Sequence, residues 1–457
     1  MESLMIDETE ASLFIFPEEA KSWDTKRGLI EQISVENNFE KIVQFHGQLA
    51  TLFNGRDSEV ELLGVKQFNK FWPQFLKKHQ IDLVLLYQKL AVIALSKGQF
   101  FSSDQELVLL TSNQNDCTTN IKLSNQQMLY LAAHMFFCTL IKPNPDKYNE
   151  CSFLDFLRYS EDNMQTKLRF LLIYLKNAIE EYESQIAQNS KVPLRYMTIH
   201  RNSLSKTFVK YDHSFQYWLH SEKPLTEVIL HDKQKIEDFA GQDALMADFA
   251  NEYIGGGALS WGCVQEEILF LIYPELNIAC LFCEKMNWNE SLIIKGSRSI
   301  DPEGRLENTF VAIDAIRFAS NFSQQLLKIC INRDLVKSYV GFIGILDGDE
   351  KSIENFENGN RKKVVTGNWG CGVFNGCPEI KFILQWLSSS QANRDMIYTT
   401  FGNYKFTVQM EQLVKAVQES GKKTVGDLAK IMFSLEGNDE INDGPQFYQH
   451  FIRQLQE

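Results

Sequence analysis

The chain has 457 residues, of which 44% are hydrophobic and 12% aromatic, and its formal net charge is −13. A chain of this length is too long to fold around one ordinary hydrophobic core, so two domains are expected. The apolar content excludes a disordered chain. The negative charge argues against broad electrostatic adhesion to DNA or RNA, because such binding relies on cations that neutralise phosphates. We therefore expect no direct DNA binding, and a polyanionic ligand would have to be held locally.

The sequence lacks the patterns of export and of membrane insertion. Its first residues, MESLMIDETE, are acidic where a signal peptide would be basic, so no secretion signal is expected. The apolar stretch IDLVLLYQKLAVIAL is interrupted by Gln88 and Lys89 and is shorter than the roughly 20 residues of a membrane span. Nine cysteines without a framework spacing favour free thiols in a reducing compartment. We expect a nuclear or cytoplasmic protein without membrane association.

The first half of the chain has apolar residues at helical spacing up to about Gln188. Four segments carry this pattern: EKIVQFHGQLATLF, NKFWPQFLKKHQIDLVLLYQKLAVIAL, NQQMLYLAAHMFFCTLI and FLDFLRYSEDNMQTKLRFLLIYLKNAIEEYESQIAQ. The polar stretch AQNSKVPL, which contains Pro193, then ends the last helix. The sequence predicts a helical domain over residues 1–190 and a second domain over residues 191–457.

The second half alternates short β-rich runs with helical segments. The predicted strands are SLIIKG, TFVAIDAI, YVGFIGIL and DMIYTTF, and the predicted helices are VQEEILFLIYPELNIACLF, FSQQLLKICI and EIKFILQWLSSSQAN. ENFENGNRKK is interpreted as a polar loop, and the tail from VQMEQLVKAVQES onward returns to helix. This pattern predicts an α/β domain with a largely buried sheet and C-terminal helices.

Missing residue types narrow the chemistry of this second half. No histidine occurs between His231 and His450, so a Ser-His-Asp or Cys-His site there would lack its base and a zinc site its commonest ligand. Cys280 and Cys283 have the spacing of a metal or redox motif, but they lie in an apolar run without a second pair, which favours buried structural thiols. No GxxxxGK[ST] motif is present. The groups that remain as candidates for a functional site are carboxylates, amides, aromatic rings and glycine-lined backbone.

Two glycine-bearing segments are left as candidates: GGGALSWGCVQEE over Gly255–Glu267 and VVTGNWGCGVFNG over Val364–Gly376. Taken alone, each is interpreted as a tight turn. Both are predicted at strand-to-helix transitions, where unpaired N–H groups can point at an anion. Such a nest binds a diphosphate without lysine, which suits the negative net charge.

Gln265, Glu266 and Glu267 open a predicted apolar helix. Acidic residues in the first turn of a helix interact favourably with the helix dipole. This explains one glutamate, but it does not explain why a second glutamate and a glutamine lie beside it. Adjacent helical residues project about 100° apart, so the two glutamates cannot flank a bond from opposite faces as in an inverting glycosidase. One would carry proton chemistry while the other holds substrate. A carboxyl beside apolar groups and a second carboxylate has its neutral form favoured, which suits a general acid.

The chain contains a set of motifs that, in their order and combination, resemble those of the poly(ADP-ribose) glycohydrolases. These motifs are DFAN at Asp248–Asn251, GGG and QEE, VAIDA at Val311–Ala315, TGNWGCGVF at Thr366–Phe374 and TTFG at Thr399–Gly402. YMTIHRNSLS, around Arg201, is similar to the segment that leads into the family's catalytic domain. The resemblance implies an α/β, macrodomain-like mixed sheet flanked by helices, preceded by a mainly α-helical accessory domain. ADP-ribose would lie across the crest of the strands.

The resemblance also implies an activity and a set of site residues. Glu267 would be the acid that protonates the departing 2′ oxygen of a ribose–ribose bond and then the base for water, with Glu266 on the ribose hydroxyls. Gly255–Gly257 would let the backbone approach the ribose, and Gly370–Phe374 would cradle the diphosphate. The implied catalytic residues are Glu267, Glu266 and Asp248, and the implied substrate-binding residues are Glu237, Asn251, Gly255, Gly256, Gly257, Gln265, Gly370, Cys371, Gly372, Val373, Phe374 and Phe401.

The implied ligands are poly(ADP-ribose), ADP-ribose and poly(ADP-ribosyl)ated proteins, with neither cofactor nor metal, and the implied setting is the DNA damage response. Phe374 would pack against the ribose and Phe401 would stack on adenine near Glu237, although either phenylalanine alone would be interpreted as core. The family's adenine-side tyrosine after the LIIxG strand has no counterpart here before Phe310. The basic cluster Arg361–Lys363 is interpreted as a solvated loop rather than a nuclear import signal.

Two other functions share this pocket. A non-catalytic reader would bind ADP-ribose or poly(ADP-ribose) without cleaving it, and it would have no need of Glu266 and Glu267. A hydrolase of mono-ADP-ribosyl links to protein would use the same pocket, usually without this Gln-Glu-Glu. The sequence favours release of ADP-ribose from poly(ADP-ribose), mainly from free ends.

Overall fold

A computed structural model describes residues 13–54, 60–112, 119–187, 192–204, 211–300, 308–319, 321–345 and 362–457. The four segments of the first half that were predicted to be helical do contain helices. The helices of this half are α1 (Trp23–Val35), α2 (Phe39–Asn54), α3 (Leu63–Phe71), α4 (Pro73–Lys78), α5 (Leu83–Ala94), α6 (Lys97–Phe100), α7 (Asn125–Phe136), α8 (Leu154–Arg158) and α9 (Asp162–Ala187).

Local signals divide the long helical pattern into separate helices. Pro73 is at the first position of α4, where its missing N–H costs no hydrogen bond. Asp82 caps α5 by accepting a hydrogen bond from the Leu85 N–H at 3.1 Å. Ser124 and Gln127 form a capping box at the start of α7. These caps place helix ends where apolar periodicity alone shows none.

One mixed sheet of eight strands runs through the described residues in the order β1-β2-β5-β6-β4-β7-β8-β3. The strands from β1 to β6 pair antiparallel, and the pairs from β6 to β3 are parallel. The strands are β1 (Thr119–Ser124), β2 (Tyr196–Ser203), β3 (Val228–His231), β4 (Ala244–Asp248), β5 (Glu290–Ser297), β6 (Asn308–Ala312), β7 (Lys363–Gly367) and β8 (Met396–Thr399). The mixed sheet confirms the predicted fold class.

Strand β1 was not predicted, because the helical pattern of the first half concealed six residues with strand character. It belongs to the helical half by sequence, yet it pairs with β2 and extends the sheet of the second half. The two halves are therefore joined by continuous backbone hydrogen bonding as well as by side-chain packing.

The predicted strand YVGFIGIL is wrong. Tyr339–Phe342 is the last turn of a helix, α13 (Lys328–Phe342), and the strand interpretation fails because a short apolar run fits a buried helix equally well. Gly341 faces the sheet, where an added Cβ would lie 2.6 Å from Val311 Cγ1. The remaining helices of this half are α10 (Tyr211–Leu219), α11 (Gln265–Ile272), α12 (Ala279–Phe282), α14 (Pro378–Gln391), α15 (Tyr404–Glu419), α16 (Val425–Ser434) and α17 (Gly444–Gln456).

The sheet is covered on both faces. The helical half and α11 and α12 share one continuous core with side chains of the strands, including Met246, Leu292 and Phe310. A second core joins α13 to the C-terminal helices, and a smaller third cluster contains Leu245 and Trp369. Covered faces explain why the strands read as continuous apolar runs.

Three predictions fall wholly or partly on residues outside the described ranges. They are the break at residues 188–191 that divides the two predicted domains, most of the ENFENGNRKK loop with Arg361, and residues 301–307 of the loop after the LIIxG strand. Among the helices that are described, none combines the length and the apolar character needed to span a bilayer.

Candidate active site

The sequence motifs lie together at one edge of the sheet, at the carboxyl ends of the parallel strands β6, β4, β7 and β8. Asp248 is the last residue of β4, and Gly367 is the last residue of β7. Ligands of open α/β sheets bind outside these strand ends, because the loops that follow the strands meet there. The loop after β4 leads into α11, which carries Gln265, Glu266 and Glu267 in its first turn.

Glu266 is buried, with 2% of its surface exposed, and its carboxylate is held by backbone groups. Its Oε1 accepts a hydrogen bond from the Gly255 N–H at 2.6 Å, and its Oε2 accepts one from the Asn251 N–H at 2.9 Å. Burial raises the pKa of Glu266 well above its ordinary value, with a further increase from Asp248, and the two N–H donors oppose that shift. The geometry fixes this carboxylate rigidly against the loop.

Glu267 is held in the same way by the next turns of the loop. Its Oε1 accepts a hydrogen bond from the Gly257 N–H at 2.9 Å, and its Oε2 accepts one from the Val264 N–H at 2.9 Å. The second bond is the reach-back contact of a capping box, in which the third helical residue satisfies the N–H that precedes the helix. Glu267 thus closes the loop onto the start of α11 while its carboxyl group stays beside Glu266.

The glycines of this loop are required by the two carboxylates. A Cβ on Gly256 would lie 2.7 Å from Glu266 Oε2 and 2.8 Å from Glu267 Oε1. A Cβ on Gly262 would lie 2.5 Å from Glu267 Oε1. Gly255 has φ +87°, a conformation that other residues rarely adopt. The interpretation of this segment as an anion nest is wrong for Gly255 and Gly257, because their N–H groups bind the glutamates.

Asp248 lies beside the glutamates and is 1% exposed. Its Oδ1 has no hydrogen-bond partner among the described residues. Burial raises the pKa of Asp248 well above its ordinary value, and the nearby charges of Glu267 and Glu237 add to the increase. A buried carboxyl oxygen without a partner is costly to maintain, so its presence here is typical of a functional site.

Gln265 links the glutamates to the neighbouring strand. Its Oε1 accepts a hydrogen bond from the Phe249 N–H at 2.9 Å, and its Nε2 donates to the Ala247 carbonyl at 3.3 Å. Its side chain also bonds Glu237, whose pKa is raised mainly by burial. Asn251 positions the start of the loop by accepting a bond from the Tyr253 N–H at 3.1 Å. Gln265, Asn251 and Glu237 therefore lie around the carboxylate cluster.

The second glycine segment leaves a run of N–H groups free. Within the described residues, no hydrogen bond satisfies the N–H groups of Gly370, Gly372, Val373 and Phe374, whereas the Cys371 N–H donates to the Asn368 carbonyl at 3.1 Å. Gly370 has φ +72°, and a Cβ there would lie 2.5 Å from Ala315 Cβ. The anion nest that the sequence predicts here stays a prediction, and these N–H groups are the donors that it would use.

Rigid supports lie beneath this nest. Trp369 is fully buried, and its indole N–H donates to the Ile313 carbonyl at 2.9 Å. Lys381 forms a buried ion pair with Asp334 and lies 4.2 Å from the centre of the Trp369 ring. Trp369 therefore supports the loop from inside the core.

The aromatic candidates have different environments. Phe401 is 74% exposed and has φ +55°, so it is not a core residue. Phe374 packs half-buried against the small cluster that contains Trp369. Phe310 cannot replace the missing tyrosine at the pocket, because it is 1% exposed and packs on Tyr273 with ring centroids 4.8 Å apart.

Other residues clarify what the site is made of. Cys280 and Cys283 are buried free thiols, and burial raises the pKa of Cys283 to about 12, which confirms their interpretation as structural. In the ranges that the structure describes, no group of three or more histidine, cysteine, aspartate or glutamate side chains has the geometry of a metal site.

Two residues of the helical half, Asn149 and Lys167, donate hydrogen bonds to the glycine loop. No sequence pattern indicated them, because their partners are backbone carbonyls distant in sequence.

Comparison with known proteins covers both halves of the chain. Residues 36–201 match the family model described as "Poly (ADP-ribose) glycohydrolase (PARG), helical domain", and residues 215–300 and 296–408 match "Poly (ADP-ribose) glycohydrolase (PARG), Macro domain fold". The second match contains the two glutamates and both glycine loops.

Individual relatives agree with the family models. Poly(ADP-ribose) glycohydrolase 1 of Arabidopsis thaliana is 32% identical over 295 residues, which cover 47% of this chain and 53% of the relative. Poly(ADP-ribose) glycohydrolase 1 of Caenorhabditis elegans is 29% identical over 349 residues, which cover 69% of this chain and 40% of the relative. Poly(ADP-ribose) glycohydrolase 2 of Caenorhabditis elegans is 26% identical over 439 residues, which cover 86% of this chain and 82% of the relative.

The chain therefore spans about half the length of the first two of these relatives. Its helical half and its macrodomain-fold half are both matched, and its site motifs lie on the second of these matches. The chain belongs to the poly(ADP-ribose) glycohydrolase family.

Proposed function

We propose that the protein hydrolyses the ribose–ribose O-glycosidic bonds of poly(ADP-ribose) and releases ADP-ribose, mainly from free chain ends. The observation that carries this proposal is the pair of buried, backbone-held carboxylates of Glu266 and Glu267 beside the unpartnered oxygen of Asp248. A module that only binds ADP-ribose has no need to bury three carboxyl groups together at considerable electrostatic cost. The family names of the relatives support the same substrate.

In the proposed reaction Glu267 acts first as the general acid. It donates its proton to the departing 2′ oxygen while the bond between that oxygen and the anomeric carbon breaks, and the anomeric carbon becomes oxocarbenium-like. Water then attacks this carbon, and the Glu267 carboxylate takes a proton from the water, which restores the acid. Glu266 accepts hydrogen bonds from the ribose hydroxyls and fixes the scissile bond beside Glu267. Asp248, Gln265 and Asn251 complete the positioning.

Two features support a separate binding site for the adenine and diphosphate parts of the ADP-ribose unit. The N–H groups of Gly370, Gly372, Val373 and Phe374, which have no hydrogen-bond partner in the described part of the chain, suit the diphosphate, because backbone amide dipoles meet its charge without lysine. The exposed ring of Phe401 suits stacking on adenine. Lys235, two residues before Glu237, has its Nζ 5.9 Å from the centre of that ring. Binding of this remote part orients the reacting ribose against the glutamates, and orientation supplies much of the catalysis.

The proposal extends to the setting of the reaction. Poly(ADP-ribosyl)ated proteins would be the carriers of the polymer, and the protein would act in the nucleus or cytoplasm as part of the DNA damage response. Buried free thiols such as Cys138, Cys151 and Cys280 are consistent with a reducing compartment.

The test is digestion of poly(ADP-ribose) that carries a label at the protein-attached end, in excess chelator, with the products resolved over time. A hydrolase that acts from free ends releases ADP-ribose monomers early, while the labelled fragment shortens gradually. Binding of the intact polymer should be measured on the same protein preparation. Intact polymer that is bound but never shortened would contradict the hydrolase proposal and would identify a reader of poly(ADP-ribose).

A further inference from the structure

The loop that holds the two glutamates is itself held by the helical half of the chain. Asn149 follows α7 in sequence, and Lys167 lies on α9, so neither belongs to the macrodomain-fold half. Together they donate five hydrogen bonds to carbonyl oxygens of the loop between Ile254 and Ser260. We refer to Ile254–Val264 as the glutamate loop.

Asn149 contacts the same peptide groups that bind the glutamates. Its Nδ2 donates to the Ile254 carbonyl at 2.8 Å and to the Gly256 carbonyl at 2.9 Å. The peptide group of the Ile254 carbonyl carries the Gly255 N–H, which binds Glu266, and the peptide group of the Gly256 carbonyl carries the Gly257 N–H. The Gly257 N–H binds Glu267.

The two peptide planes therefore connect one amide to both carboxylates. A hydrogen bond to a carbonyl polarises its peptide group and strengthens the opposite N–H as a donor. Asn149 also restrains the rotation of both planes from the carbonyl side, which matters because Gly255 and Gly256 tolerate many backbone conformations.

Lys167 holds the next part of the glutamate loop. Its side chain is 1% exposed, and its Nζ donates to the carbonyls of Gly257 at 3.1 Å, Ala258 at 3.0 Å and Ser260 at 2.6 Å. These bonds use all three donors of the ammonium group. Burial lowers the pKa of Lys167, and the nearby charges of Cys263, Glu267 and Asp155 oppose that shift.

A buried cation whose three hydrogen bonds go to carbonyl oxygens is a costly way to stabilise a loop, since its desolvation costs several kcal/mol. An apolar side chain on α9 would pack against the loop at less cost, but it could not fix the direction of three carbonyl groups. The arrangement is therefore better explained by a need for precise orientation than by stability alone.

We propose that Asn149 and Lys167 are positioning residues that set the orientation of Glu266 and Glu267 through the peptide groups of the glutamate loop. The inference rests on the proposed hydrolase function, and it makes the helical half an integral part of the active site. Loss of either residue should therefore lower the rate of bond cleavage. The proposed binding site for adenine and diphosphate is formed by other loops and should stay intact.

The test compares Asn149→Ala and Lys167→Met with two matched controls. Lys26 is a second buried lysine of the helical half, and its Nζ donates to the Thr139 carbonyl at 3.4 Å. Asn202 is a buried asparagine whose Nδ2 donates to the carbonyls of Val340 and Gly344. Lys26→Met and Asn202→Ala therefore remove buried donors of the same kind without touching the glutamate loop.

For each variant we would measure kcat and KM on poly(ADP-ribose), the Kd of ADP-ribose, the Tm and the amide hydrogen exchange of residues 254–262. The proposal expects Asn149→Ala and Lys167→Met to lower kcat by about 10- to 100-fold, as small misplacements of catalytic groups do, with Kd and KM unchanged. Exchange in the glutamate loop should accelerate in these two variants alone. The controls should lower the Tm and leave kcat and loop exchange unchanged.

Two results would overturn the inference: a kcat that is unchanged in the two variants, or one that falls no further than in the controls. If Lys167→Met does not fold, Asn149→Ala alone decides the question, because it removes two partly buried hydrogen bonds rather than a buried charge. An inactive parent protein would instead contradict the proposed function. Loop exchange would still decide whether Asn149 and Lys167 anchor the glutamate loop, since it requires no activity.

Discussion

The carboxylate of Glu267 occupies the space that any side chain at Gly262 would need. A Cβ on Gly262 would lie 2.5 Å from Oε1 and 2.6 Å from Cδ of Glu267, closer than real Cβ contacts allow. The glycines near the glutamates thus make room for the protein's own carboxylates.

Gly262→Ala is therefore expected to displace the Glu267 carboxylate. Misplacement by about 1 Å can reduce the rate of bond cleavage by about 100-fold. The Kd of ADP-ribose should change little, because Gly370–Phe374, the proposed diphosphate site, lies on a separate loop. Steady-state kinetics and calorimetry measure both effects. Gly28→Ala is the control, since no atom lies within 4 Å of a Cβ there and the residue is within α1. Full activity in Gly262→Ala would show that Glu267 does not need its observed position.

Asp248→Asn should stabilise the protein near neutral pH. Because burial raises the pKa of Asp248 in the folded state, the folded protein holds this proton more tightly than the unfolded chain does. Stability is therefore lost as the pH rises above the unfolded value of about 3.9 towards the folded pKa, and neutral Asn escapes that loss. A Tm increase of a few degrees is expected at pH 7.5, and it should shrink towards pH 4.5. An equal increase at both pH values would show that titration of Asp248 is not its cause.

Much of this site could be predicted from the sequence because it depends on local order along the chain. Gln265, Glu266 and Glu267 follow a glycine run and precede an apolar helix, and each of these features is visible in neighbouring residues. Gly370–Phe374 likewise lies between a strand and a helix, where free N–H groups are expected. Family membership and the mixed α/β fold followed from the same motifs.

Gly370→Ala should weaken ADP-ribose binding. The new Cβ would lie 2.5 Å from Ala315 Cβ, and φ +72° disfavours alanine, so the nest would have to move. Calorimetry with ADP-ribose should show a lost or strongly reduced affinity. Gly421→Ala is a matched control, because Gly421 has φ +79° but open space around its Cβ position. That control should lose stability by about 1–2 kcal/mol, the cost of left-handed backbone for alanine, and keep its affinity.

Phe401→Ala should weaken binding of ADP-ribose with little effect on the Tm. The ring is 74% exposed, so its removal leaves the core intact. Stacking on a base contributes about 1–3 kcal/mol, which corresponds to an increase of about 5- to 150-fold in Kd. Phe71→Ala is the control, since Phe71 is 63% exposed on the helical half. An unchanged Kd in Phe401→Ala would show that the ring is not part of the proposed adenine-binding site.

The features that sequence reasoning missed depend on tertiary contacts. Asn149 and Lys167 reach loop carbonyls about 90 to 107 residues away in sequence, and a carbonyl acceptor leaves no trace in residue identity. The strand predicted over Tyr339–Leu346 failed for a related reason. An apolar run is compatible with helix or strand, and only packing of α13 against the sheet decides between them.

The most direct test of the central claim is the single-turnover rate of poly(ADP-ribose) cleavage by Glu267→Gln beside Glu275→Gln. Glu275 is also a buried glutamate, 3% exposed, but it pairs with Arg195 at 2.8 Å rather than with the glutamate loop. Loss of a general acid predicts a decrease of about 100- to 10,000-fold in Glu267→Gln, with polymer binding retained and the Glu275→Gln rate near that of the parent. Cleavage by Glu267→Gln at the parent rate would contradict the assignment of Glu267 as the acid.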